Sequence, residues 1–322
     1  MRIHHKNYVQ LDGSTKNQVE RVGDGSIIER FAKTDPPRED SGIICPHFLN
    51  LKWGNGCHFD CAWCYLKGTY RHRPEGTKFK MKDPCKIIEH IKCFLSEAEE
   101  PEILNSGEVV DSLASEGDEG KEFSKLVQLL FESQDKHKLL YLTKSTAIKN
   151  LLELPHNQTI VSFSVNSWEV SRTWEHGAPP SSLRVESAME LFKKGYEVRI
   201  RIDPMVPVKG WKAGYMGLLD FIFANLKPER ITLGSLRGLK TTLQNVKDKS
   251  WIEYLSENSG WGKKIDFQTR FLMYSTIISY LRDKYDFYKV ALCKETLRMW
   301  LELEREFGEQ MNYKKIKCNC LW

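Results

Sequence analysis

Three cysteines lie within eight positions of one stretch of this sequence, GNGCHFDCAWCYLKGTYR at residues 54–71. They are Cys57, Cys61 and Cys64, and the aromatic Trp63 stands directly before the third. Zinc sites usually combine two C-x2-C pairs, or cysteines with histidines at set distances. Three thiolates on one loop can instead bind three irons of a 4Fe–4S cluster and leave the fourth iron open to a small molecule. The stretch therefore predicts an iron–sulfur site, with buried or zinc-binding cysteines as the alternative.

The composition and the N-terminus limit the class of protein. The chain has 322 residues, a net charge of +5 and nine cysteines. It contains no apolar run long enough to span a bilayer, and its start, MRIHHKNYVQLDG, lacks the apolar core of a secretion signal. These features predict a cytoplasmic protein whose thiols are reduced and available for metal binding or catalysis.

Strand patterns alternate with helical patterns along most of the chain. We expect strands at 47–53, 102–107, 138–144, 159–165, 196–204 and 230–236. We expect helices at 84–98, 122–133, 146–154, 182–195, 215–226, 267–285 and 294–308. This alternation predicts parallel βαβ units in either an open doubly wound sheet or an incomplete barrel. In both folds ligands gather at the carboxyl ends of the strands, and the three cysteines follow the first strand directly.

The cysteine spacing, together with Trp63, resembles the signature of radical S-adenosylmethionine (SAM) enzymes. The resemblance implies an α/β fold with a partial (β/α)6 barrel at 48–244, an N-terminal extension at 1–47 and a C-terminal cluster-binding region at 245–322. It also implies a 4Fe–4S cluster and SAM as cofactors. An external one-electron reductant of the flavodoxin or ferredoxin type would then start the cleavage of SAM to a 5′-deoxyadenosyl radical.

The same resemblance assigns cofactor contacts to residues at the strand ends. Gly107 and Glu108 end the second strand, where the family receives the SAM amino group. Lys144 ends the third strand and is expected to pair with the SAM carboxylate, while Ser164 and Asn166 are expected to contact the ribose. Two further residues complete the expected cofactor site, Trp63 and Arg201. The alternative for Arg201 is a structural ion pair with Asp203 of the RIDP sequence.

Several segments are similar to the spore photoproduct lyase family. They include GCHFDCAWCYL, SGEVVDSLASE, EHGAPPSSLRVESA, GYEVRIRIDP, ITLGSLR, ALCKET and KCNC. This resemblance implies a thymine-derived substrate, either within DNA or as a modified thymidine. The basic stretch YRHRPEGTKFKMK at 70–82, with aromatic residues between its charges, then suits a DNA backbone. A solvated loop is the alternative for that stretch.

A second group of thiols stands near the end of the chain, where Cys293 is followed by Cys318 and Cys320. Together they predict the ligands of an auxiliary 4Fe–4S cluster with one free iron, able to coordinate an amino-acid-like substrate. Two alternatives remain open, namely ordinary reduced thiols or a zinc site that Cys45 completes.

One departure from the lyase family affects the expected reaction. The lyase uses a hydrogen-donating cysteine after its second barrel strand, and the segment NSGEVVDSLA contains none. With an auxiliary cluster, the resemblance favours isomerisation of an N-linked glycyl-thymidine to a C-linked product in phage DNA hypermodification, in the host cytoplasm. The alternatives are a DNA-lesion repair lyase that uses Tyr65 or Tyr141 as a relay, and a zinc-stabilised nucleic-acid-binding module without catalysis.

Overall fold

The structure is a computed structural model that describes residues 1–34, 36 and 39–322. Its strands are β1 (Ile3–Val9), β2 (Thr15–Val22), β3 (Ile28–Phe31), β4 (Ile43–Ile44), β5 (Phe48–Leu51), β6 (Gly54–Asn55), β7 (Lys80–Met81), β8 (Ile103–Asn105), β9 (Lys138–Thr143), β10 (Thr159–Val165), β11 (Glu197–Met205), β12 (Ile231–Ser235), β13 (Arg237–Gly238), β14 (Glu257–Ser259), β15 (Gly262–Lys264), β16 (Val290–Leu292) and β17 (Glu295–Thr296). Its α-helices are α1 (Leu66–Thr69), α2 (Pro84–Glu97), α3 (Phe123–Glu132), α4 (Trp168–Trp174), α5 (Ser181–Lys193), α6 (Trp211–Asn225), α7 (Lys240–Asn245), α8 (Phe267–Tyr285) and α9 (Leu297–Phe307). Short 3₁₀ turns lie at Ser250–Tyr254, Glu309–Met311 and Tyr313–Lys315.

Ten strands form one sheet in the order β1, β2, β3, β5, β8, β9, β10, β11, β12 and β16. From β5 onward every neighbouring pair in this order is parallel. Parallel neighbours need a crossover between them, and helices such as α2, α3 and α5 supply it. The strand–helix alternation thus gives the mixed α/β fold with a large parallel sheet that the sequence predicts.

The N-terminal part of the chain extends this sheet. Strands β1, β2 and β3 pair antiparallel with one another, and β3 joins the parallel part by pairing antiparallel with β5. A second link runs from this region to the far end of the sheet, because β4 pairs with β17. Residues 1–47, expected as an N-terminal extension, therefore contribute strands on which the rest of the sheet builds.

One expected element is absent from the described residues, because segment 146–154 forms turns instead of the predicted helix. Its sequence, TAIKNLLEL, is shorter than the length at which a helix becomes stable alone, and Pro155 follows it. Pro155 has no N–H for the Leu151 carbonyl, which instead accepts a hydrogen bond from the Tyr196 hydroxyl at 2.5 Å. The helical prediction for this segment is wrong for that reason.

The two faces of the parallel sheet differ in chemistry, and β11 shows this most clearly. Its apolar residues, such as Ile200 and Ile202, are fully buried on the helix side. Its charged residues alternate with them on the opposite face, where Arg199 is also buried. Arg199 and Arg201 pair in register with Ser162 and Ser164 of β10. The second face is therefore a buried polar surface rather than a solvent-exposed one.

Residues 318–322, called here the tail segment, lie against that polar face. The side-chain amide of Asn319 donates to Ser162 Oγ (2.7 Å) and to the Ile200 carbonyl (2.9 Å), and its oxygen accepts from Thr232 Oγ1 (2.7 Å). The guanidinium of Arg199 donates to the Asn319 carbonyl at 2.8 Å. Every polar group of this amide is satisfied, so the tail segment has one defined position on strands β10, β11 and β12.

The sheet curves around the tail segment. The Asn105 amide on β8 lies 3.7 Å from Cys320 Sγ, although β9, β10 and β11 separate β8 from β12 in the sheet. Strands that are far apart in the sheet order thus contact neighbouring residues of one short segment. The polar face is therefore the concave face of the sheet.

No helix within residues 1–34, 36 and 39–322 combines the length and the apolar composition needed to cross a bilayer. Helix α8, at 19 residues, is long enough but carries Arg270, Arg282 and Lys284.

Candidate active site

Backbone hydrogen bonds on both sides hold the loop of three cysteines. The Cys57 amide donates to the Thr77 carbonyl at 2.8 Å, and the Ala62 amide donates to the Trp174 carbonyl at 2.7 Å. Gly56 has a left-handed φ of 81°, and a Cβ at this position would lie 2.4 Å from the Thr77 carbonyl oxygen. Only glycine fits this turn, so the loop enters its first cysteine in a fixed direction.

The three thiols of this loop are free and largely withdrawn from water. Burial raises the pKa of Cys57 to about 12, and it raises the pKa of Cys61 and Cys64 as well. These thiols stay protonated unless a cation stabilises the thiolate, which is the role that iron plays in a cluster. In the part of the chain that the structure describes, no three side chains of His, Cys, Asp or Glu form a site for a single metal ion.

Lys144 supplies a positive charge beside these thiols. Its charge acts against the effect of burial on the pKa of Cys61. Its Nζ donates to Ser164 Oγ at 2.8 Å and lies 3.6 Å from Glu175 Oε1. Burial opposes ionisation of Glu175, yet Lys144 and Arg184 hold its pKa below the ordinary value. The lysine expected at the end of the third strand is therefore fixed by an acid and a hydroxyl next to the cysteine loop.

Glu108 and Gly107 lie close to this loop, but they differ in what they contact. The Tyr65 hydroxyl, directly after the third cysteine, donates to the Glu108 carbonyl. The Glu108 carboxylate lies 3.0 Å from Lys294 Nζ. A Cβ on Gly107 would lie 2.5 Å from Leu142 on the neighbouring strand, so this glycine is needed for strand packing. Glu108 thus remains a candidate ligand residue, whereas the atoms that closely approach Gly107 belong to Leu142 of the protein.

A second group of thiols surrounds a small cavity, called here the cysteine cavity. The fold brings together four cysteines from three distant parts of the chain, namely Cys45, Cys293, Cys318 and Cys320. Glu108 and Lys294 line the same cavity. Burial raises the pKa of Cys45 to about 12 and also raises that of Cys293. The three cysteines expected at an auxiliary site therefore meet, and Cys45 joins them.

Two arginines direct positive charge at the thiols of the cysteine cavity. Arg201 Nη2 lies 3.4 Å from Cys293 Sγ and 3.8 Å from Cys320 Sγ. Arg237 lies 3.8 Å from Cys293 Sγ and is fixed by a two-pronged pair with Asp203, at 2.8 and 2.9 Å. Within the described residues the Arg201 Nε has no hydrogen-bond partner. Asp203 therefore pairs with Arg237, which leaves the Arg201 guanidinium available to the cavity.

Two of the expected site residues, Trp63 and Asn166, have other roles in the structure. Trp63 packs on Trp174 with ring centroids 5.7 Å apart, behind the cysteine loop. The Asn166 amide donates to the Pro204 carbonyl at 2.7 Å and its oxygen accepts from the Tyr215 hydroxyl at 3.0 Å, so it is engaged within the protein.

Tyr141 lies apart from both groups of cysteines. Its ring contacts Phe123 of α3 edge-on at 6.0 Å, and it is fully buried among the apolar side chains on the helix side of the sheet. The structure does not bring this tyrosine to the concave face, where Tyr65 does meet Glu108.

Two residues that lie in this region, Glu175 and Lys294, were not predicted from the sequence. Glu175 lies in the segment EHGAPPSSLRVESA that the family resemblance already marks, and that segment was its only signal. Lys294 follows Cys293 directly and has a left-handed φ of 50°, which is uncommon for a residue with a side chain. Its carbonyl accepts a hydrogen bond from Lys264 Nζ at 2.9 Å, and its ammonium lies between the Phe31 and Trp261 rings at 5.0 and 4.9 Å. Only the fold shows this arrangement.

The sequence matches curated proteins over roughly half of their length. The spore photoproduct lyase of Bacillus subtilis (strain 168) is 27% identical over 177 residues, which is 55% of this chain and 51% of that protein. The spore photoproduct lyase of Geobacillus sp. (strain Y412MC61) is 26% identical over 201 residues, covering 62% and 56% of the two chains. The chain thus spans about half the length of the curated relatives it matches.

Solved structures of spore photoproduct lyase share the fold of this chain. Spore photoproduct lyase complexed with dinucleoside spore photoproduct gives a TM-score of 0.61 at 18% identity, over 81% of this chain and 78% of that chain. A spore photoproduct lyase mutant with bound AdoMet and dinucleoside spore photoproduct gives a TM-score of 0.60, also at 18% identity, over 79% of each chain. The likeness in fold extends beyond the stretch in which the sequences align.

A family model described as spore photoproduct lyase matches residues 47–235. That range contains β5 to β12, the three-cysteine loop and Lys144. Since the match covers more than half of the chain, this protein belongs to the spore photoproduct lyase family, within the radical SAM superfamily.

Proposed function

We propose that this chain is a radical SAM enzyme that acts on a thymine-derived lesion in DNA, as a lyase of the spore photoproduct lyase type. The three-cysteine loop carries the proposal, because it presents three free thiols at the carboxyl edge of parallel strands in a chain of that family. The solved relatives described above hold a dinucleoside spore photoproduct, which supports a substrate of this class. The family resemblance of the sequence adds the thymine origin of the lesion.

The donor set of the loop fits a 4Fe–4S cluster that binds SAM. Cys57, Cys61 and Cys64 would hold three irons, and their raised pKa values mean that metal binding must release their protons. When bound, the cluster and SAM supply a carbon-centred radical that removes a hydrogen atom from a substrate. The electron would come from an external one-electron reductant of the flavodoxin or ferredoxin type, in the reducing cytoplasm.

The chain's own residues would orient SAM and exclude water. Lys144 is placed to pair with a carboxylate, since Glu175 and Ser164 hold its ammonium beside the loop. Glu108 keeps its negative charge because Lys294 and Arg201 outweigh the effect of burial on its pKa, so it can accept an ammonium group. Most of the surrounding side chains are buried, which protects a reactive intermediate from solvent.

The cysteine cavity would supply the hydrogen donor that the segment after β8 lacks. Residues 105–114 contain no cysteine, yet Glu108 of that segment lines a cavity with four thiols. A protonated thiol can give a hydrogen atom to a carbon radical, and burial keeps Cys293 protonated. A lyase reaction is thus compatible with this chain if a cavity thiol replaces the missing donor.

A second candidate reaction rests on the same cavity. Cys293, Cys318 and Cys320 would hold three irons of an auxiliary 4Fe–4S cluster, which would supply an open iron for the amino and carboxylate groups of a glycyl unit, while Arg201 would offer positive charge to that unit. Isomerisation of N-linked to C-linked glycyl-thymidine would then follow. The comparisons with known proteins favour the lyase, and this second candidate depends only on the cavity and the missing donor.

The proposed architecture refines the observed α/β fold. The curved parallel sheet would form a partial (β/α)6 barrel over residues 48–244, with residues 1–47 as an N-terminal extension. Residues 245–322 would form a C-terminal region that closes the concave face, since the tail segment lies on β10, β11 and β12. This division remains a proposal that limited proteolysis can test, by cleavage near residues 47 and 244.

Anaerobic reconstitution followed by metal analysis and SAM-cleavage assays tests the function. We expect about four irons and four sulfides per chain for one cluster, and about eight of each if the cysteine cavity binds a second. With a dinucleoside spore photoproduct as substrate, we expect SAM-dependent release of the two separate thymine nucleosides. With N-linked glycyl-thymidine, only the second candidate predicts a product of unchanged mass and altered fragmentation.

The same measurements can contradict the proposal. A protein that binds zinc in place of iron after anaerobic reconstitution, and that cleaves no SAM, would instead be the non-catalytic nucleic-acid-binding module. A protein that cleaves SAM but converts neither substrate would retain the cofactor chemistry and lose both candidate reactions.

A further inference from the structure

We infer that a groove on the N-terminal side of the three-cysteine loop binds the phosphates of the DNA strand that carries the substrate base. The inference rests on the proposed function and adds the path of the strand to it. The groove lies between the bend before β3, the β6–β7 pair and the start of α2. Four cations line it, Arg73, Lys80, Lys82 and Lys86, together with two carboxylates, Glu75 and Asp83.

The groove lies at the same edge of the sheet as the proposed active site. Ile28, at the start of β3, pairs with Leu51, at the carboxyl end of β5. Asn55 of β6 pairs with Lys80 of β7, and Cys57 follows only two residues later. A strand bound in this groove would therefore pass beside the three-cysteine loop, where a base extruded from it can enter the site.

Several of the cations in the groove are not neutralised by the protein. Lys86 pairs with Asp24 at 2.8 Å, and Asp83 uses its carboxylate to cap α2 at the Cys85 amide. Among the described residues no carboxylate lies within ion-pair distance of Lys80 or Lys82, and the Lys82 ammonium donates only to a backbone carbonyl, that of Ser26. This leaves positive charge directed at the groove without a partner.

Arg73 adds a donor with a defined direction. Its guanidinium stacks over the Tyr70 ring at 4.6 Å, and the Tyr70 hydroxyl is itself fixed by the Asn55 side chain at 3.1 Å. The nearest carboxylate, that of Glu75, lies 3.9 Å away. Within the described part of the chain the Arg73 Nη1 has no hydrogen-bond partner although it is shielded from water. An arginine held on an aromatic ring with a free donor is suited to a phosphate oxygen.

These features favour a phosphodiester chain over a single small anion. The cations stand on three separate segments, the loop before β7, β7 itself and the start of α2, so they can contact several charges of one polyanionic chain. The groove also continues the basic stretch at 70–82, whose Arg71 and Lys78 are exposed. Because these contacts are to the backbone, they would position the DNA without selecting its sequence.

The test uses the full-length reconstituted protein and a fluorescein-labelled oligothymidylate. We compare binding across a salt series for wild type and for the double variant Arg73→Gln/Lys80→Gln. The matched control is Lys193→Gln/Lys194→Gln, which removes the same charge from two exposed lysines at the opposite edge of the sheet. We expect the groove variant to bind about tenfold more weakly at moderate salt, with a salt slope smaller by about 1.4, roughly 0.7 for each lost phosphate contact in a single strand.

Iron content and SAM cleavage on a free nucleoside substrate should stay at wild-type levels in both variants. If the groove variant and the control bind the oligonucleotide equally well, the inference is wrong while the proposed function stands. If wild type itself binds no oligonucleotide at low salt, the DNA context of the proposed function fails as well.

An oligoglutamate of equal charge distinguishes a DNA groove from a surface for acidic proteins. The inference would be overturned if wild type bound this peptide as tightly as the oligonucleotide and the groove variant lost that binding. The variant Lys82→Gln, tested alone, should reduce the salt slope by about half as much as the double variant.

Discussion

The two groups of cysteines differ in how the chain assembles them. The three-cysteine loop is local, because its thiols fall within eight residues of one another. The cysteine cavity is assembled from Cys45, Cys293 and the tail segment, which meet only when the sheet is complete. A local site can be identified from spacing, whereas the distant one depends on every contact that holds the tail segment in place.

The two sites also differ in the charge that faces their thiols. The cations that act on the loop thiols are lysines, Lys144 on Cys61 and both Lys67 and Lys144 on Cys64, and Lys144 is itself paired with Glu175. In the cavity, Arg201 and Arg237 both donate towards Cys293. The cavity therefore directs arginine donors at a thiol and is prepared for an anionic ligand, although burial still holds the pKa of Cys293 above its ordinary value. Four variants, taken from the largest expected effect to the smallest, test this difference.

The variant Cys61→Ala should have the largest effect on chemistry. Removing one of three thiolates is expected to lower SAM cleavage by a factor of at least about 100 and to remove the iron of the loop. SAM cleavage under reducing, anaerobic conditions measures this effect. The matched control is Cys293→Ala in the cavity, which should retain SAM cleavage while losing product. Equal loss of SAM cleavage in both variants would mean that the two sites do not act separately.

The variant Asn319→Ala should disrupt the cavity and leave the loop intact. It removes the amide group that donates to Ser162 Oγ and accepts from the Thr232 hydroxyl, while Thr232 Oγ1 still accepts from the Asn319 backbone amide. We expect a cost of about 2–4 kcal/mol in the free energy of unfolding. Chemical denaturation measures the loss. If the cavity binds a cluster, iron content should fall to the amount held by the loop. A variant as stable as wild type would show that the tail segment is not held by this amide.

The sequence predicts much of the fold and most of the loop site. Short apolar runs between helical patterns identify the six central parallel strands, although β8 has only three residues and β5 only four. The helical pattern fails at 146–154, where the segment is short and Pro155 removes a helical hydrogen-bond donor. The alternation EVRIRID of β11 is typical of a strand with one solvent-exposed face. Its charged face is buried here because the tail segment, more than a hundred residues away, covers it.

The variant Glu108→Gln tests the ion pair that lies between the two sites. It leaves the Lys294 ammonium without its partner, and because both side chains are slightly exposed we expect a loss of about 1–3 kcal/mol. The pKa of Glu108 is lowered in the folded state, so its contribution is fully present above the ordinary carboxyl pKa and is lost as the pH falls through the folded-state value. The stability difference between wild type and variant should therefore be constant near neutral pH and shrink in acid. A difference that grows in acid would contradict the pairing.

The variant Tyr141→Phe should have the smallest effect. In the described part of the chain its hydroxyl has no hydrogen-bond partner, and its ring lies on the helix side. Removing the hydroxyl should change stability by less than about 1 kcal/mol and leave SAM cleavage unchanged. The matched variant Tyr65→Phe, which loses the bond to the Glu108 carbonyl, should lower product formation more. A large loss of activity in Tyr141→Phe would restore the relay role that the sequence suggests.

The cofactor contacts were harder to predict than the cysteines, because they depend on residues that only the fold brings together. Asn166 has the residue type of a ribose ligand, but its amide is used by Pro204 and Tyr215. Lys294 has no motif of its own and reaches Glu108 only through its unusual backbone conformation. Residue type and strand position predict where a ligand can bind. They do not predict which polar groups the protein has already satisfied.

The full engagement of the Asn319 side chain has an evolutionary consequence. Its partners lie on different strands. Ser162 Oγ accepts from the amide nitrogen and the Thr232 hydroxyl donates to the amide oxygen, so the pair needs a side chain that has both a donor and an acceptor. Substitutions at these positions should therefore occur jointly across homologues, giving a correlated trio far apart in the chain. The three-cysteine loop makes no hydrogen bond to this trio and is held instead by backbone contacts to Thr77 and Trp174, so its cysteines should vary independently of Ser162, Thr232 and Asn319.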